Sequence, residues 1–302
     1  MSIGDDLKYQ WRHGGMVKRL LFVNIGVFLT IHLVGFICWA FHLYRWDHTL
    51  QYYLMSSGNV SWLLHKPWTV ITHMFTHYDP GHIIGNMLIF WFAGQLFQGT
   101  LGPRRLLGNY LLGGLTGFAF YLLGGLLPAH LAMSSRFPIL GASAAVMSIL
   151  IGIATYHPNL ELRFFFVSVI KLKYMAIGLF VLDLIAIKEG SNTGGHVAHL
   201  GGALYGFLAA RQMQKNGTDW SGSFINGLER IWNFLRGKRR TRLRVEKRAT
   251  RKVRVTLDAD FNAAKREKQE RVDAILDKIS RSGYDSLSKD ERDFLFRASH
   301  EQ

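Results

Sequence analysis

The chain has 302 residues, of which 49 % are hydrophobic and 19 % are charged, and its formal net charge is +15. The chain combines a highly apolar composition with a large net charge, and the apolar runs and the charged residues occupy different parts of it. This distribution excludes an ordinary single soluble domain. The single cysteine, Cys38, excludes an intramolecular disulfide and a cysteine-based metal site.

Six apolar segments are long enough to cross a bilayer, since a membrane helix needs about 20 mostly apolar residues and fewer when it is buried among others. They are 20–43, 83–97, 106–127, 139–156, 174–187 and 197–213. The apolar stretch 164–170 precedes two lysines, and we interpret it as an interfacial piece before the fifth span. The first segment follows a basic stretch but no small-residue cleavage site, so we expect a retained anchor rather than a signal peptide.

The distribution of lysine and arginine among the short loops predicts the orientation. The N-terminal side of the predicted bundle carries most of them: Lys8, Arg12, Lys18, Arg19, Arg104, Arg105, Arg163, Lys171, Lys173, Arg211 and Lys215. We therefore expect both chain ends in the cytoplasm, with spans two, four and six entering from the outer side. Without a transit-like leader, a bacterial inner (cytoplasmic) membrane is the expected location.

Four polar residues fall in the first turns of those three spans. Ser143 lies five residues beyond Pro138, a rise of about 8 Å, and His199 lies at a similar depth in the sixth span. His82 and Asn86 are one helical turn apart at the start of the second. Ionisable and polar groups inside a membrane are costly, so this layer is predicted to be functional.

These residue types predict acyl-transfer chemistry. A serine hydroxyl becomes a nucleophile when a nearby base accepts its proton, and His199 is the predicted base for Ser143. His82, Asn86 and the backbone N–H groups at the start of the Ser143 helix would stabilise an oxyanion. Asp183 lies about two and a half turns into the fifth span, so we expect it at a different depth and predict no third, acidic member.

Small residues predict that the fourth and sixth helices approach closely. Ala198, Gly202 and Gly206 recur every four residues on the His199 helix, and the residues around Ser143 are small as well. Such small-xxx-small patterns allow two helix backbones to come into contact.

At these residues the chain resembles the rhomboid family of intramembrane serine proteases. The matching motifs are Gly141-Ala142-Ser143, then Ala198-His199 with Gly202 and Gly206, then His82 with Asn86, in the family's order over roughly 67–207. The resemblance implies a Ser143–His199 dyad, with His82 and Asn86 at the oxyanion. It also implies membrane-anchored protein substrates, cut near the outer end of their own transmembrane helix.

Three positions depart from the family pattern. Ala144 stands where the family usually has glycine, Met147 where an aromatic often packs on the histidine, and Thr69 where many members have arginine. Each leaves the predicted catalytic groups in place.

Simpler interpretations stay open for each site residue. Ser143 and His199 would also suit helix packing and a structural hydrogen bond, and His82 with Asn86 would suit a helix cap. His196 is an alternative base. His73, His77 and His82 have a spacing that zinc ligands use, but no His-Glu-x-x-His motif occurs, so solvated histidines in an outer loop are the favoured explanation.

Two loops on the outer side are predicted to shape the site. The loop 44–81 carries the aromatic residues of an interfacial belt: Trp46, Tyr52, Tyr53, Trp62, Trp68, Phe75 and Tyr78. The loop 188–195 is polar and glycine-rich, and it is either a flexible cover above His199 or an ordinary turn.

The C-terminal part is charged and has no catalytic motif. A dense basic run over 236–254 predicts contact with anionic lipid or a solvated segment, while nucleic-acid binding is not expected. Beyond it, an apolar face at Val272, Ile275, Leu276 and Ile279 and a Ser288–Glu291 capping box predict a small helical hairpin with a cytoplasmic partner.

The sequence thus predicts an all-α, polytopic membrane protein, a six-transmembrane-helix rhomboid-like bundle with a cytoplasmic helical C-terminal extension. The predicted parts are a cytoplasmic segment 1–18, the membrane domain 19–213, a basic linker 214–257 and a helical hairpin module 258–302. The predicted function is an intramembrane serine endopeptidase that uses Ser143 and His199, without metal or cofactor. A catalytically inactive rhomboid-like protein that binds transmembrane helices is the alternative, and a transporter is disfavoured because no internal repeat is seen.

Overall fold

The computed structural model describes residues 2–43, 48–126, 138–164, 167–189, 192–237 and 253–300. The described part of the chain is mostly helical, at 82 %. It divides into two compact units, Met1–Lys238 and Arg239–Gln302.

The described part of the first unit contains eleven α-helices, one 3-10 helix (His73–Phe75) and one hairpin. The helices are α1 (Ile3–His13), α2 (Gly15–Ala40), α3 (Thr49–Leu54), α4 (Val60–His65), α5 (Thr69–Thr72), α6 (Pro80–Leu101), α7 (Pro103–Gly124), α8 (Ser143–Tyr156), α9 (Leu172–Glu189), α10 (Thr193–Asn216) and α11 (Trp220–Leu235). Helices α2 and α6–α10 occupy the six predicted apolar segments. Among the described helices, α2 and α7 have the length and hydropathy needed to cross a membrane, so the six-span arrangement remains a proposal.

A short β-hairpin corrects the prediction of an all-α fold. Strand β1 (Glu161–Phe164) pairs with the antiparallel strand β2 (Val167–Lys171), with Glu161 opposite Lys171. The alternating valines of β2 fit a pleated strand better than a helix. The stretch predicted as an interfacial piece is therefore half of a hairpin that leads into α9.

Helix α8 lies at the centre of the first unit, since Ile149, Leu150 and Ile153 are completely buried. Its Ser148 accepts a hydrogen bond of 2.8 Å from the Asn109 side chain of α7. The buried polar pair fixes the register of the two helices, because an unpaired amide or hydroxyl in an apolar core would be costly.

The predicted close approach of α8 and α10 is confirmed. A Cβ on Gly202 would lie 2.1 Å from the Ala144 carbonyl oxygen, and a Cβ on Gly206 would lie 2.1 Å from the Ser148 carbonyl oxygen. Both distances are far below van der Waals contact, so only glycine fits at either position. The two backbones touch just behind Ser143.

Helix α8 begins at Ser143, four residues later than predicted. Before it, Ile139 pairs with Ser56 of the outer loop through backbone hydrogen bonds of 2.8 and 2.9 Å. Gly141 then takes a φ of +123°, which side-chain-bearing residues rarely adopt. The extended segment and the glycine turn place Ser143 in the first turn of the helix.

Part of the predicted linker 214–257 forms a helix that the sequence analysis did not predict. Asp219 caps α11 by accepting a hydrogen bond from the Gly222 backbone N–H, and it also pairs with Arg105 at 2.8 Å. A second ion pair joins Arg104 to Glu229. Most of the predicted basic run, residues 238–252, and Trp46 of the outer loop lie outside the described residues.

The second unit contains α12 (Val253–Ser282) and α13 (Lys289–His300). The predicted capping box is confirmed, because the Ser288 N–H donates to Glu291 at 2.7 Å and the Glu291 N–H donates to the Ser288 hydroxyl at 3.3 Å. Lys278 of α12 contacts the same carboxylate at 2.9 Å. Its hydrogen bond is the main reason that the pKa of Glu291 is lowered to about 2.

Candidate active site

Ser143 lies between two cavities of the first unit. One, of about 340 Å³, is lined on the far side by the loop before α6 and by the start of α10. The other, of about 300 Å³, is lined by Asn86, Met147, Asp183, His196 and His199. Ser143 thus lines both cavities, whereas His199, the predicted base, lines only the second one.

His199 and Ser143 line the same cavity, as predicted, but they are not directly bonded. Among the described residues no hydrogen bond joins the Ser143 hydroxyl to the His199 imidazole. His199 instead bonds through Nδ1 to Asp183 Oδ1 at 2.7 Å. With a proton on Nδ1, the Nε2 lone pair of His199 is free to accept a proton, and catalytic hydrogen bonds are often long before substrate binds.

Asp183 corrects the prediction that no acidic residue lies at the depth of the site. It is only 6 % exposed and accepts hydrogen bonds from two imidazoles. Asp183 is six residues before the end of α9, and His199 is six residues after the start of α10. Each therefore lies about 9 Å from the connection between the helices. The prediction was wrong because the depth of Asp183 was counted from the N-terminal end of the fifth span, whereas the site lies near the C-terminal end.

His196 shares the same carboxylate oxygen. Its Nδ1 lies 2.6 Å from Asp183 Oδ1, and its ring centroid lies 5.4 Å from that of His199. It also lines the cavity next to Ser143. The geometry therefore keeps His196 as an alternative base, since both rings are held in the same way.

His82 lies on the other side of Ser143, against the glycine turn. A Cβ added to Gly141 would meet His82 Cε1 at 2.9 Å and the Ser143 hydroxyl at 3.7 Å. His82 and Ser143 also line the first cavity together. A ring N–H at this position would be close to an oxyanion formed on a carbonyl attacked by Ser143.

The cap of α6 is a different residue from those considered in the sequence. Asp79 accepts a hydrogen bond of 2.7 Å from the His82 backbone N–H, and Pro80 occupies the first helical position. The side chains of His82 and Asn86 are therefore not needed as caps, which weakens that simpler interpretation.

Asn86 is held by a histidine that sequence reasoning did not assign to the site. His77 Nε2 lies 3.3 Å from the Asn86 side-chain nitrogen and accepts a second hydrogen bond of 3.3 Å from the Ala142 N–H. An imidazole nitrogen that accepts from two donors carries no proton. One neutral ring thus connects the outer loop, α6 and the turn before Ser143.

His73 and His77 are buried rather than solvated, contrary to one interpretation of the outer loop. They are 3 % and 0 % exposed, and desolvation lowers the pKa of each to about 4. The backbone carbonyl of His73 accepts the Gly141 N–H at 2.9 Å. Both histidines support the turn that carries Ser143, whereas in the sequence their i, i+4 spacing had been considered only as a possible zinc signal.

The loop 188–195, which was predicted as a cover over the site, belongs only in part to the described residues. Asn192, Thr193, Gly194 and Gly195 border the first cavity, while 190–191 lie outside the described residues. Asn192 has a φ of +45° and precedes α10. A polar turn therefore closes one wall of the space next to Ser143.

Family comparison agrees with the motifs. A model of the Rhomboid domain matches residues 64–215, which includes every predicted site residue. A second model, a family of unknown function called DUF6576, matches residues 255–301 in the second unit.

Curated relatives match part of this chain. RHOMBOID-like protein 12, mitochondrial, from Arabidopsis thaliana is 33 % identical over 66 % of this chain and 59 % of its own length. Presenilin-associated rhomboid-like protein A, mitochondrial, from Danio rerio is 30 % identical over 45 % of this chain and 35 % of its own length. Rhomboid-like protein 17, chloroplastic, from Arabidopsis thaliana is 26 % identical over 66 % and 60 %. The chain thus spans less than two thirds of the length of each of these relatives.

The predicted bacterial inner membrane is wrong. The relatives carry mitochondrial and chloroplastic names, which point to organellar membranes. The expectation of a bacterial membrane depended on how the given sequence begins, and that is not a sufficient basis for choosing a compartment.

Proposed function

We propose, from the premise that this chain belongs to the rhomboid family, that it is an intramembrane serine endopeptidase. Ser143 is the nucleophile, His199 is the base, and His82 with Asn86 holds the oxyanion. The observation that carries the proposal is the shared cavity, which brings Ser143 of α8, Asn86 of α6 and His199 of α10 to one space. Residues of three separate helices, with complementary chemistry, thus line one cavity.

In the proposed reaction the Ser143 oxygen bonds to the carbonyl carbon of a peptide while its proton passes to His199 Nε2. The negative charge on the carbonyl oxygen is stabilised by the His82 ring, the Asn86 amide and the backbone N–H groups that begin α8, which have no intrahelical partners. His199 then gives the proton to the leaving nitrogen as the C–N bond breaks. Water reverses the sequence and releases the acyl group from Ser143.

Asp183 is proposed as the residue that positions His199. Its carboxylate holds Nδ1–H and so leaves Nε2 directed to the reaction, which is the role of the acid in Ser-His-Asp triads. A negative charge next to the ring also stabilises the imidazolium that forms when Ser143 loses its proton. His77 is proposed to do the same for Asn86 by fixing the orientation of its amide.

The six helices α2 and α6–α10 are proposed as membrane spans, with both described termini on the lysine- and arginine-rich side. The membrane is proposed to be that of a mitochondrion or chloroplast, by similarity to the named relatives. Substrates are proposed to be membrane-anchored proteins that enter laterally from lipid, and the second unit is proposed to bind a partner on the side of the termini.

The proposal is tested with a fluorophosphonate probe on the purified full chain in detergent micelles. We expect one labelled serine per chain, no labelling in Ser143→Ala, and undiminished labelling in the matched control Ser223→Ala, which removes an exposed serine of α11. Cleavage of a model membrane-anchored substrate should follow the same pattern. Labelling that persists in Ser143→Ala would contradict the assignment.

A catalytically inactive, helix-binding protein is the second candidate. The missing hydrogen bond between Ser143 and His199 favours it, because a serine without a bonded base is a weak nucleophile. Under this alternative, the wild-type chain captures membrane-anchored proteins but is neither labelled nor able to cleave them. The same probe experiment therefore separates the two candidates.

A further inference from the structure

The proposed base belongs to a group of side chains that has the composition of a metal site. Asp183, His196 and His199 bring their ligand atoms within 4.8 Å of one another, the only such group of three among the described His, Cys, Asp and Glu residues. Two imidazole nitrogens and one carboxylate oxygen are the ligands that Zn²⁺ uses in catalytic and inhibitory sites.

A second observation points to a ligand at the same place. Asp183 is only 6 % exposed, yet its second carboxylate oxygen, Oδ2, is buried and has no hydrogen-bond partner among the described residues. An unpaired buried carboxylate oxygen is costly, and native structures rarely leave one without a partner. Both imidazoles bond to Oδ1, so the charge on Oδ2 remains available.

The three ligand atoms lie close to the spacing of a Zn²⁺ site, since all are within 4.8 Å of one another. The two Nδ1 atoms lie 2.6 and 2.7 Å from Oδ1, whereas two ligands of a tetrahedral Zn²⁺ with bonds of 2.0–2.1 Å lie about 3.3 Å apart. Each ring would therefore move back by less than about 1 Å. The adjoining cavity of about 300 Å³ gives the rings this room and leaves space for a water molecule as a fourth ligand.

We propose that Asp183, His196 and His199 form a Zn²⁺ site that inhibits the Ser143 reaction. The inhibition rests on the proposed function, whereas the binding does not. The physical reason for the inhibition is the position of the proton on the His199 ring. When Zn²⁺ binds Nδ1 of His199, the Nδ1 proton leaves to solvent and Nε2 takes up one proton from solvent, so that the ring stays neutral with its proton on Nε2. Nε2 then has no lone pair to accept the proton of Ser143.

Binding is measured on the full chain in detergent micelles after treatment with a chelator, by dialysis against ZnCl₂ and metal analysis. We expect one Zn²⁺ per chain in the wild type and at least about tenfold weaker binding in His196→Gln, which removes one ligand. His65→Gln removes an exposed histidine of the outer loop and should bind as the wild type does. Equal binding by wild type and His196→Gln would overturn the site.

Two further measurements distinguish the loss of a ligand from a folding defect in His196→Gln. Thermal unfolding of each protein is recorded without metal, and Zn²⁺ should raise the unfolding midpoint of the wild type but not of His196→Gln. In the wild type alone, Co²⁺ should give the visible absorption of a four-coordinate nitrogen and oxygen site. An octahedral, fully hydrated Co²⁺ spectrum would refute the proposal without any variant.

Inhibition is measured as the ratio of the fluorophosphonate labelling rates with and without Zn²⁺, taken within each protein. We expect the ratio to fall at least about tenfold in the wild type and much less in His196→Gln. Unchanged or faster labelling with Zn²⁺ would overturn the inhibition. If no protein is labelled even without metal, while Zn²⁺ binding is still lost in His196→Gln, the proposed protease function fails and the metal site stands.

Discussion

Replacing Gly202 by alanine tests whether the contact between α8 and α10 positions the proposed active site. The added Cβ would lie 2.1 Å from the Ala144 carbonyl oxygen, while real Cβ atoms essentially never come closer than 3.0 Å to a neighbour. The obstacle is backbone rather than a flexible side chain. The two helices must therefore separate locally by about 0.9 Å, the difference between these distances.

Such a displacement affects activity more than stability. Overpacking of a core typically costs about 1–3 kcal/mol, which a domain with several packed helices can tolerate. A misplacement of about 1 Å between reacting groups can lower a rate about 100-fold. Since Ala144 follows Ser143 directly and Gly202 lies three residues after His199, the separation occurs between nucleophile and base.

The assay compares fluorophosphonate labelling rates and thermal unfolding for three variants. Gly202→Ala should lose about two orders of magnitude in labelling rate. Gly206→Ala meets the Ser148 carbonyl oxygen at the same 2.1 Å but lies one turn further from Ser143, so it should be equally destabilised and lose less activity. Gly178→Ala, whose added Cβ would meet no atom of the described residues within 4 Å, should behave as the wild type. Wild-type labelling and unfolding in Gly202→Ala would refute the reasoning.

Two further predictions concern the residues that hold the site. Asp183→Asn should lower the labelling rate about 100-fold or more because the amide can no longer hold His199 in the productive tautomer. Glu189→Gln on the same helix is the control. An unchanged labelling rate in Asp183→Asn would show that Asp183 has no part in the mechanism. The second follows from His77, which is neutral in the folded state with a pKa of about 4 against 6.5 for an ordinary histidine. Unfolding makes His77 protonatable, so its contribution to stability is complete above pH 6.5 and about 3 kcal/mol of it is lost as the pH drops to 4, while buried His73 adds a similar loss of its own. Thermal unfolding is measured between pH 7 and 4.5, and the loss of stability should be smaller in His77→Gln than in the wild type. His157→Gln removes an exposed histidine and serves as the control. An identical pH dependence in the two variants would contradict the prediction.

The catalytic motifs were accessible to sequence reasoning because they combine rare residue types with fixed spacing. Ser143, His199, His82 and Asn86 each lie at the start of an apolar segment, where a polar side chain has no packing benefit. The prediction that Ser143 and His199 share one space followed from equal depth in two helices that run in the same direction. The glycine pattern of α10 similarly predicted a close contact, since only small side chains recur every four residues there.

Residues that act across helices were missed, and the reason is geometric. Asp183 was assigned the wrong depth because its helix runs opposite to α10, and the count depends on which end of a helix faces the site. His77 lies in a loop whose path cannot be read from periodicity. Helix α11 was missed because its apolar residues follow a glycine-rich start and precede a basic run, so composition favoured a linker.

The amino-acid sequence by itself determined the apolar segments, the polar residues at their first turns and the glycines that let two helices touch, because burial and helix periodicity depend on local composition. Only the tertiary structure decided which partners those polar residues have: Asp183 for His199 and His196, and His77 for Asn86. Hydrogen bonds between helices depend on the direction and rotation of each helix relative to the next, and no one-dimensional pattern fixes those two quantities.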